Sequence, residues 1–372
     1  MFHNKNLEDE LKDYVGTDYC ILTGSGTMGL VIALFSQHLP RGSEIIVPDI
    51  TCLTVPLSVI YAKMKPIFVD VKMDDYNINT ELIYNKITKK TRAIIGVHSF
   101  GQPFDVDAIK KICDEYNLLL IEDFAQAFGG EYKNKLFGSF GDISVTSFGY
   151  NKVISAGGGG AVFTDDRKTY LKMKTMGERF KRYSTLPISP ERFRSKLVDS
   201  YMGKFAKRGI NVYSLTPKVF RLWYRLQKRS FLYPMKERWA QRIRNGLKHI
   251  NKIKEITIKQ GRLYKQNIKS KQIIHPRYEL GPGVLWKYSV LLKKPCRRDI
   301  LENVNTPDNF FNLVTNYSPP LHIYWEKRLL RSYPNSTFIA SRILNLPVGL
   351  EYSNEQVREI AEIVNSSVEM VG

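Results

Sequence analysis

One lysine, one acid and one amide side chain lie at spacings that could support amino-group chemistry. Lys152 follows Ser147 by five residues and precedes the four glycines 157–160. A lysine amine forms Schiff bases with carbonyl compounds, most readily when burial or a neighbouring cation lowers its pKa. Asp123 and Gln126 follow a continuous apolar run further upstream. These residues together predict a site that holds pyridoxal phosphate (PLP) and moves an amino group.

PLP needs a lysine for the imine, an acid at its pyridinium nitrogen, a phosphate cup and a group that holds the ring. Asp123 suits the ring nitrogen, and Gln126 could donate a hydrogen bond to the phenolic oxygen. The segment 24–27, Gly-Ser-Gly-Thr, opens a helical run over 28–36. Helix N-termini bind phosphate through free N–H groups and the helix dipole. Ser147 could add a hydroxyl to the same cup.

Each of these residues also has a purely structural interpretation. Taken alone, Lys152 would be a surface lysine and Asp123 a helix cap. The segment 24–27 would be a turn with an N-cap, and the glycines 157–160 would be a flexible loop. Spacing alone therefore leaves the PLP interpretation and the structural interpretation both open.

The elements that would position these residues alternate between short apolar strands and helices. Continuous apolar strands separated by helices predict a parallel or mixed sheet that is covered on both faces. Ligands bind such sheets at the carboxyl ends of the strands, so Asp123 and Lys152 could share one crevice. The predicted strands are 44–48, 66–71, 92–97, 118–122, 143–148 and 160–164, with a helix over 105–116.

The length of 372 residues and a hydrophobic content of 43% predict a folded chain with a main and a smaller domain. We expect a large domain over 1–250 and a smaller C-terminal α/β domain over 251–372. The smaller one would contain a strand over 284–292 and a closing helix over 354–368.

No apolar run is long enough to span a bilayer, the start has no apolar signal core, and the four cysteines are scattered. A cytoplasmic location is therefore expected. No cysteine or histidine spacing predicts a metal site.

Most of the net charge of +20 belongs to one segment, residues 167–250, which contains 23 Lys and Arg against four acids and looks largely helical. A solvated helical face is the simplest explanation. Attraction of an anionic substrate is a second one. Aromatic residues interleaved with basic ones also fit peripheral contact with an anionic membrane at the inner face. Nucleic-acid binding fits the charge, but no recognition motif supports it. The aromatics are Phe220, Trp223, Tyr224, Phe231, Tyr233 and Trp239.

A series of short motifs occurs in one order along the chain. They are Ser25-Gly26-Thr27, the turn from Val47-Pro48 to Thr51, Phe68-Val69-Asp70, His98-Ser99-Phe100-Gly101-Gln102-Pro103, Glu122-Asp123-Phe124-Ala125-Gln126-Ala127, Gly138-Ser139-Phe140-Gly141-Asp142 and Ser147-Phe148 followed by Lys152. This series resembles the DegT/DnrJ/EryC1/StrS family of PLP-dependent sugar aminotransferases, chiefly over residues 20–165. The resemblance implies a type I, aspartate aminotransferase-like α/β fold.

The resemblance also implies roles for residues. Lys152 would form the Schiff base, Asp123 would meet the pyridine nitrogen, and Gln126 would meet the phenolic oxygen. The phosphate would be held by Gly26, Thr27 and Ser147. Family members are usually homodimers in which an asparagine of the partner reaches the phosphate, and Asn211 matches that residue. The likeness returns near 316–322, which makes Tyr317 and His322 substrate candidates.

Several positions depart from the family pattern, mostly where the substrate would bind. Cys52 replaces an aromatic that commonly stacks on the cofactor, and we expect it to be a small buried hydrophobe. Gly158 replaces an acid in the glycine-rich loop. The Asn-Tyr-Arg signature is degraded over 211–214, and only about 24 residues precede Ser25.

The leading hypothesis is a PLP-dependent aminotransferase that transfers an amino group from glutamate or glutamine to a nucleotide-linked keto-sugar. Such a reaction belongs to cell-surface glycan or secondary-metabolite biosynthesis. The alternative is a non-catalytic family member that binds an anionic membrane or nucleic acid through its basic segment.

Overall fold

A seven-stranded mixed sheet forms the frame of the structure. The computed structural model describes residues 2–183, 233–277, 280, 283–295 and 333–371. The strands of the large sheet are β1 (Tyr19–Thr23), β2 (Glu44–Pro48), β3 (Lys65–Val69), β4 (Thr91–Val97), β5 (Leu119–Asp123), β8 (Ile143–Ser147) and β9 (Gly160–Thr164), and a separate hairpin contains β6 (Glu131–Tyr132) and β7 (Lys135–Leu136). The order is β1-β9-β8-β5-β4-β2-β3. Strand β9 runs antiparallel to both neighbours, and the other pairs are parallel.

Helices cover both faces of this sheet and continue into the C-terminal part. They are α1 (Phe2–Val15), α2 (Gly26–Ser36), α3 (Thr54–Tyr61), α4 (Thr80–Ile83), α5 (Val106–Tyr116), α6 (Arg167–Tyr183), α7 (Glu237–Lys248), α8 (Ile250–Asn267), α9 (Pro334–Ala340) and α10 (Asn354–Val371). Helix α2 is apolar around its circumference because it packs between β8, β9 and the helices α3 and α6. Helix α5 packs on β4 and β5.

The parallel strands bring several predicted site residues to one edge of the sheet. Strands β2, β4, β5 and β8 all end there, and Asp123 and Ser147 are the last residues of β5 and β8. Helix α2 begins at the same edge, where Gly26 lies against Ser147. The predicted mixed α/β sheet is confirmed.

The C-terminal part contains a three-stranded antiparallel sheet, β10 (Ile273–Ile274), β11 (Lys287–Leu292) and β12 (Ile343–Pro347). Its core includes side chains from α8 and α10. The predicted strand over 284–292 and the closing helix are confirmed, but β11 begins three residues later than expected. The preceding backbone is bound elsewhere, because the Trp286 N–H donates to Phe100 O at 3.2 Å. The division at residue 250 stays a prediction.

Helix α1 and strand β1 are among the elements that the sequence analysis did not predict. Helix α1 buries Leu7, Leu11 and Val15, which are four residues apart and at most 3% exposed. Strand β1 is only five residues long and pairs with β9, which is distant in sequence. The predicted strands of the large sheet and helix α5 agree within two residues, and Asp105 caps α5 by accepting from the Ala108 N–H at 3.1 Å.

The basic segment is described only at its two ends, by α6 and by residues 233–250. Trp239 was among the aromatics that would touch a membrane in the peripheral-contact account, but its side chain is 2% exposed and packs in the core. The aromatics at 220, 223, 224 and 231 lie outside the described residues. Among the described helices, none has an apolar stretch that would cross a bilayer.

Candidate active site

Asp123 is a buried carboxylate at the end of β5, only 6% exposed. Its Oδ1 accepts a hydrogen bond from the Ala125 N–H at 3.0 Å. Burial raises the pKa of Asp123, because the charged form loses solvation, while the Ala125 N–H and the charge of Lys152 oppose this rise. A cation placed against this carboxylate would therefore be strongly favoured, as a protonated ring nitrogen would be.

Lys152 lies in the loop after β8, half-buried, and its positive charge acts on Asp123. The Lys152 Nζ is 5.2 Å from the ring centroid of Trp286, a cation–π distance. The Trp286 Nε1–H donates to the carbonyl of Asn151, the residue just before the lysine. Trp286 therefore holds the lysine loop as well as the lysine itself.

A backbone N–H orients the amide group of Gln126. Its Oε1 accepts from the Phe100 N–H at 2.8 Å, and the residue is 3% exposed. Because the carbonyl end of the amide is bound in this way, the NH2 end of Gln126 is the one that could meet an oxygen acceptor.

The N-terminus of α2 and the end of β8 form a cradle at Gly26, which has no side chain. Ser25 caps α2 by accepting from the Met28 N–H at 3.1 Å. A Cβ on Gly26 would lie 2.8 Å from the Ser147 Cβ, so only glycine permits this approach. The first turn of α2, with Thr27, thus lies beside the Ser147 hydroxyl. Such a turn suits a phosphate group.

Two buried hydroxyls lie in the loops that follow β2 and β4 at the same edge. Within the described part of the chain, Thr51 Oγ1 and Ser99 Oγ have no hydrogen-bond partner. Buried polar groups are normally satisfied, so these hydroxyls fit a site that receives polar groups from a ligand.

Glu122 and His98 form a buried pair behind Asp123. Both side chains are 0% exposed, and His98 Nε2 lies 2.9 Å from Glu122 Oε1. The His98 ring stacks between Phe104 and Phe137 at centroid distances of 4.4 and 3.8 Å. Burial would raise the pKa of Glu122, but the hydrogen bond from His98 and further N–H donors lower it. The pair fixes the turn over 138–141, whose N–H groups bind the same carboxylate.

A cleft of about 610 Å³ opens beside Lys152. Its described lining includes Arg238 and Arg242 from α7, Lys287 from β11, and Glu351. Among the described residues of this lining, four basic side chains, counting Lys152, face one acid. The two arginines belong to the basic segment, which supports attraction of an anionic substrate as one use of that charge.

The departures from the family pattern have structural explanations in part. A Cβ on Gly158 would lie 2.5 Å from the Trp239 ring, so no acid fits at that position. Cys52 was expected to be buried, and this is wrong, since its side chain is exposed in the loop between β2 and α3. The Cys52 Sγ accepts from Thr54 Oγ1 at 3.1 Å.

The structure brings together Gly26, Ser147, Asp123, Gln126 and Lys152 at one end of the sheet. The other candidates, Asn211, Tyr317 and His322, lie outside the described residues. Sequence analysis missed Lys287, the first residue of β11, and Trp286, the residue before it, which follow Lys152 by more than 130 residues. No local pattern could have indicated them, because their position depends on packing between distant parts of the chain.

A buried acid acted on by a nearby lysine, together with a glycine-walled helix N-terminus, fits PLP and the phosphate that it carries. The fold and this site define the class of PLP-dependent aminotransferases. The chain belongs to the DegT/DnrJ/EryC1/StrS aminotransferase family, whose model matches residues 2–365. It is accordingly a PLP-dependent enzyme.

Two curated relatives place the chain among sugar aminotransferases. It is 28% identical over 370 residues to the GDP-perosamine synthase of Escherichia coli O157:H7, covering 97% of this chain and 89% of that protein. It is 39% identical over 161 residues to the UDP-2-acetamido-2-deoxy-3-oxo-D-glucuronate aminotransferase of Pseudomonas aeruginosa, covering 43% of this chain and 45% of that protein.

Solved structures support the fold. The aminotransferase TlmJ from Streptoalloteichus hindustanus superposes with a TM-score of 0.77 at 18% identity, covering 99% of this chain and 91% of that one. A DegT DnrJ EryC1 StrS aminotransferase from Brucella abortus gives a TM-score of 0.74 at 22% identity, covering 98% of this chain and 90% of that one.

Proposed function

We propose that this aminotransferase acts on a nucleotide-linked keto-sugar, with glutamate or glutamine as the amino donor. The donor becomes a 2-oxo acid, and the sugar carbonyl carbon becomes a C–H carbon that carries the amino group. Bound PLP supplies the electron sink that makes the substrate carbon acidic. The observation that carries the proposal is the buried Asp123 at the end of β5, on whose pKa the charge of Lys152 acts.

The residues of the site have separate tasks in this proposal. Lys152 Nζ would hold the cofactor and then carry a proton at the reacting carbon. Asp123 would keep the ring nitrogen protonated, because a buried carboxylate gains most from a cationic partner. The NH2 group of Gln126 would donate to the phenolic oxygen. The first turn of α2, with Gly26 and Thr27, and the Ser147 hydroxyl would hold the phosphate.

Spectroscopy and mass spectrometry test this proposal directly. Purified protein supplied with PLP should be yellow, and borohydride should abolish the absorbance band by fixing PLP to Lys152. Peptide mapping should find the label on Lys152. The variant Lys152→Ala should take no label, while a control, Lys135→Ala on the exposed β6–β7 hairpin, should behave as the wild type. Protein that stays colourless with added PLP would contradict the proposal.

The substrate class is tested by product analysis. GDP-, UDP- and dTDP-linked keto-sugars are incubated with the enzyme and isotopically labelled glutamate or glutamine. Transfer of the labelled nitrogen to one of the nucleotide sugars supports the proposal. Formation of the 2-oxo acid without any aminated sugar across the whole panel would count against nucleotide-linked keto-sugars.

We also propose a homodimer in which Asn211 of one subunit reaches the phosphate of the other. Support comes from the resemblance alone. Light scattering should give twice the chain mass of 43.0 kDa. Mixing a Lys152→Ala subunit with an Asn211→Ala subunit should restore part of the activity in heterodimers, because one site then keeps both residues.

Peripheral contact of residues 167–250 with an anionic membrane remains a second proposal for the basic segment. The charge supports it, whereas the burial of Trp239 removes one of its aromatic contacts. Co-sedimentation with anionic vesicles at low and high salt tests it, because electrostatic adsorption weakens as salt rises. A non-catalytic binding role has less support, since it gives no reason for Lys152 to act on Asp123.

A further inference from the structure

Lys287 is a buried cation without a close partner in the described part of the chain. It is the first residue of β11, pairs with Pro347 of β12, and is 6% exposed. No hydrogen bond or ion pair of its ammonium group is formed with the described residues. Its contact is with the face of Trp286, whose ring centroid lies 6.0 Å from Nζ.

An ammonium group in this environment is unfavourable unless something else binds it. Burial lowers the pKa of Lys287 to about 8, and the negative charge of Glu351 only partly opposes this effect. A buried charge normally has a hydrogen-bonded partner of opposite sign. A buried lysine that lacks such a partner and borders a cleft is therefore suited to an anionic ligand.

The location of Lys287 connects it to the reacting lysine. Lys152 Nζ and Lys287 Nζ lie 5.2 and 6.0 Å from the centroid of the same Trp286 ring. Both residues line the 610 Å³ cleft, together with Arg238 and Arg242. A single substrate could therefore reach both ammonium groups.

We propose that Lys287 binds an anionic oxygen group of the substrate, a carboxylate or a phosphate, while the reacting carbon lies at Lys152. The inference rests on the proposed function, and it makes Lys287 a residue that determines which substrate is accepted. A charged oxygen group would supply the hydrogen-bonding partner that the ammonium group does not find among the described residues. The same chemistry could come from the carboxylate of the amino donor or from an acidic group of the nucleotide sugar.

Binding of simple anions is the first test and does not depend on turnover. Calorimetric titration of the PLP-loaded protein with glutarate and with a nucleoside diphosphate compares the wild type with Lys287→Met and Lys287→Arg. Loss of a charge-assisted hydrogen bond in Lys287→Met should weaken the binding of one of the two anions by about tenfold to a hundredfold. Lys287→Arg should retain most of the affinity, and the exposed control Lys135→Met should match the wild type.

The pH dependence of this binding gives an independent signature. Affinity should fall as the pH rises through about 8, because Lys287 loses its proton there. The charged groups that face it in the cleft are Lys152, Arg238, Arg242 and Glu351. The fall near pH 8 should therefore vanish in Lys287→Met but persist in Arg242→Met.

The two half-reactions then identify the source of the anion. If Lys287 binds the donor, Lys287→Met should raise the glutamate concentration needed to change the cofactor spectrum and leave the sugar half-reaction unaffected. If it binds the sugar nucleotide, the reverse should hold. Unchanged anion binding together with unchanged half-reactions would overturn the inference, even with Lys152 labelled by borohydride. Failure to bind PLP would instead remove the proposed function.

Discussion

The indole of Trp239 fills the space that a side chain on residue 158 would need. A Cβ built on Gly158 lies 2.5 Å from two ring atoms of Trp239, and the ring is 2% exposed in the core. The glycine and the tryptophan therefore depend on each other, and an acid at position 158 is incompatible with α7 in its present position.

Gly158→Ala should lower the free energy of unfolding by about 1–3 kcal/mol, because the rigid ring has nowhere to move. Denaturant titration measures this change. Combining it with Trp239→Leu should cost less than the sum of the two single changes, since the smaller side chain admits the methyl group. If the two losses in unfolding free energy simply added, the close contact between position 158 and Trp239 would be contradicted.

Glu122→Gln should destabilise the protein by roughly 3–5 kcal/mol. The carboxylate accepts from His98, from the N–H groups at 138, 140 and 141, and from Ser144 Oγ, and an amide NH2 cannot replace an acceptor. The pKa of Glu122 is lowered in the fold, so its stabilising effect is present above about pH 4.5 and declines as pH falls below it. Chemical unfolding across this range, with exposed Glu81→Gln as the control, checks both points.

Lys287→Met should stabilise the ligand-free protein at pH 7 by up to about 3 kcal/mol. The pKa of Lys287 is about 8 in the fold against 10.5 in the unfolded chain. The unfolded state therefore binds more protons between these values, and wild-type stability rises with pH across that window. The difference between variant and wild type should shrink from pH 8 to 10.5. A constant difference would show that the lysine does not titrate in this way.

Asp123→Asn should reduce amino transfer by roughly a hundredfold or more, since an amide cannot hold the ring nitrogen in its protonated state. The pKa of Asp123 is raised by burial, so the cofactor-free fold loses stability as the pH rises from the ordinary pKa of 3.8 to the raised one, and the loss is complete above it. Near pH 8 the cofactor-free variant should therefore melt no lower than the wild type. Single-turnover kinetics and thermal melts measure the two effects. A variant that melts at a lower temperature than the wild type and keeps full activity would contradict the role of Asp123 at the ring nitrogen.

Local sequence patterns were sufficient for the residues at strand ends. Asp123 and Ser147 follow apolar runs, and Gly26 follows a cap residue, so their placement at one sheet edge could be predicted. Trp286 and Lys287 could not, because their distance from Lys152 in space depends on how the C-terminal sheet packs. The membrane-contact account put Trp239 at the surface for a related reason. Its burial depends on a missing side chain at Gly158, and an aromatic among basic residues gives no sign of that.

Trp286 binds two loops of the large sheet at once, through its ring N–H to Asn151 and its backbone N–H to Phe100. These two bonds join the residue just before β11 to the peptide group before Lys152 and to the loop that orients Gln126. The C-terminal sheet cannot slide or rotate away without breaking one of them. A displacement of Trp286 with β11 would therefore also shift the loop that carries Lys152.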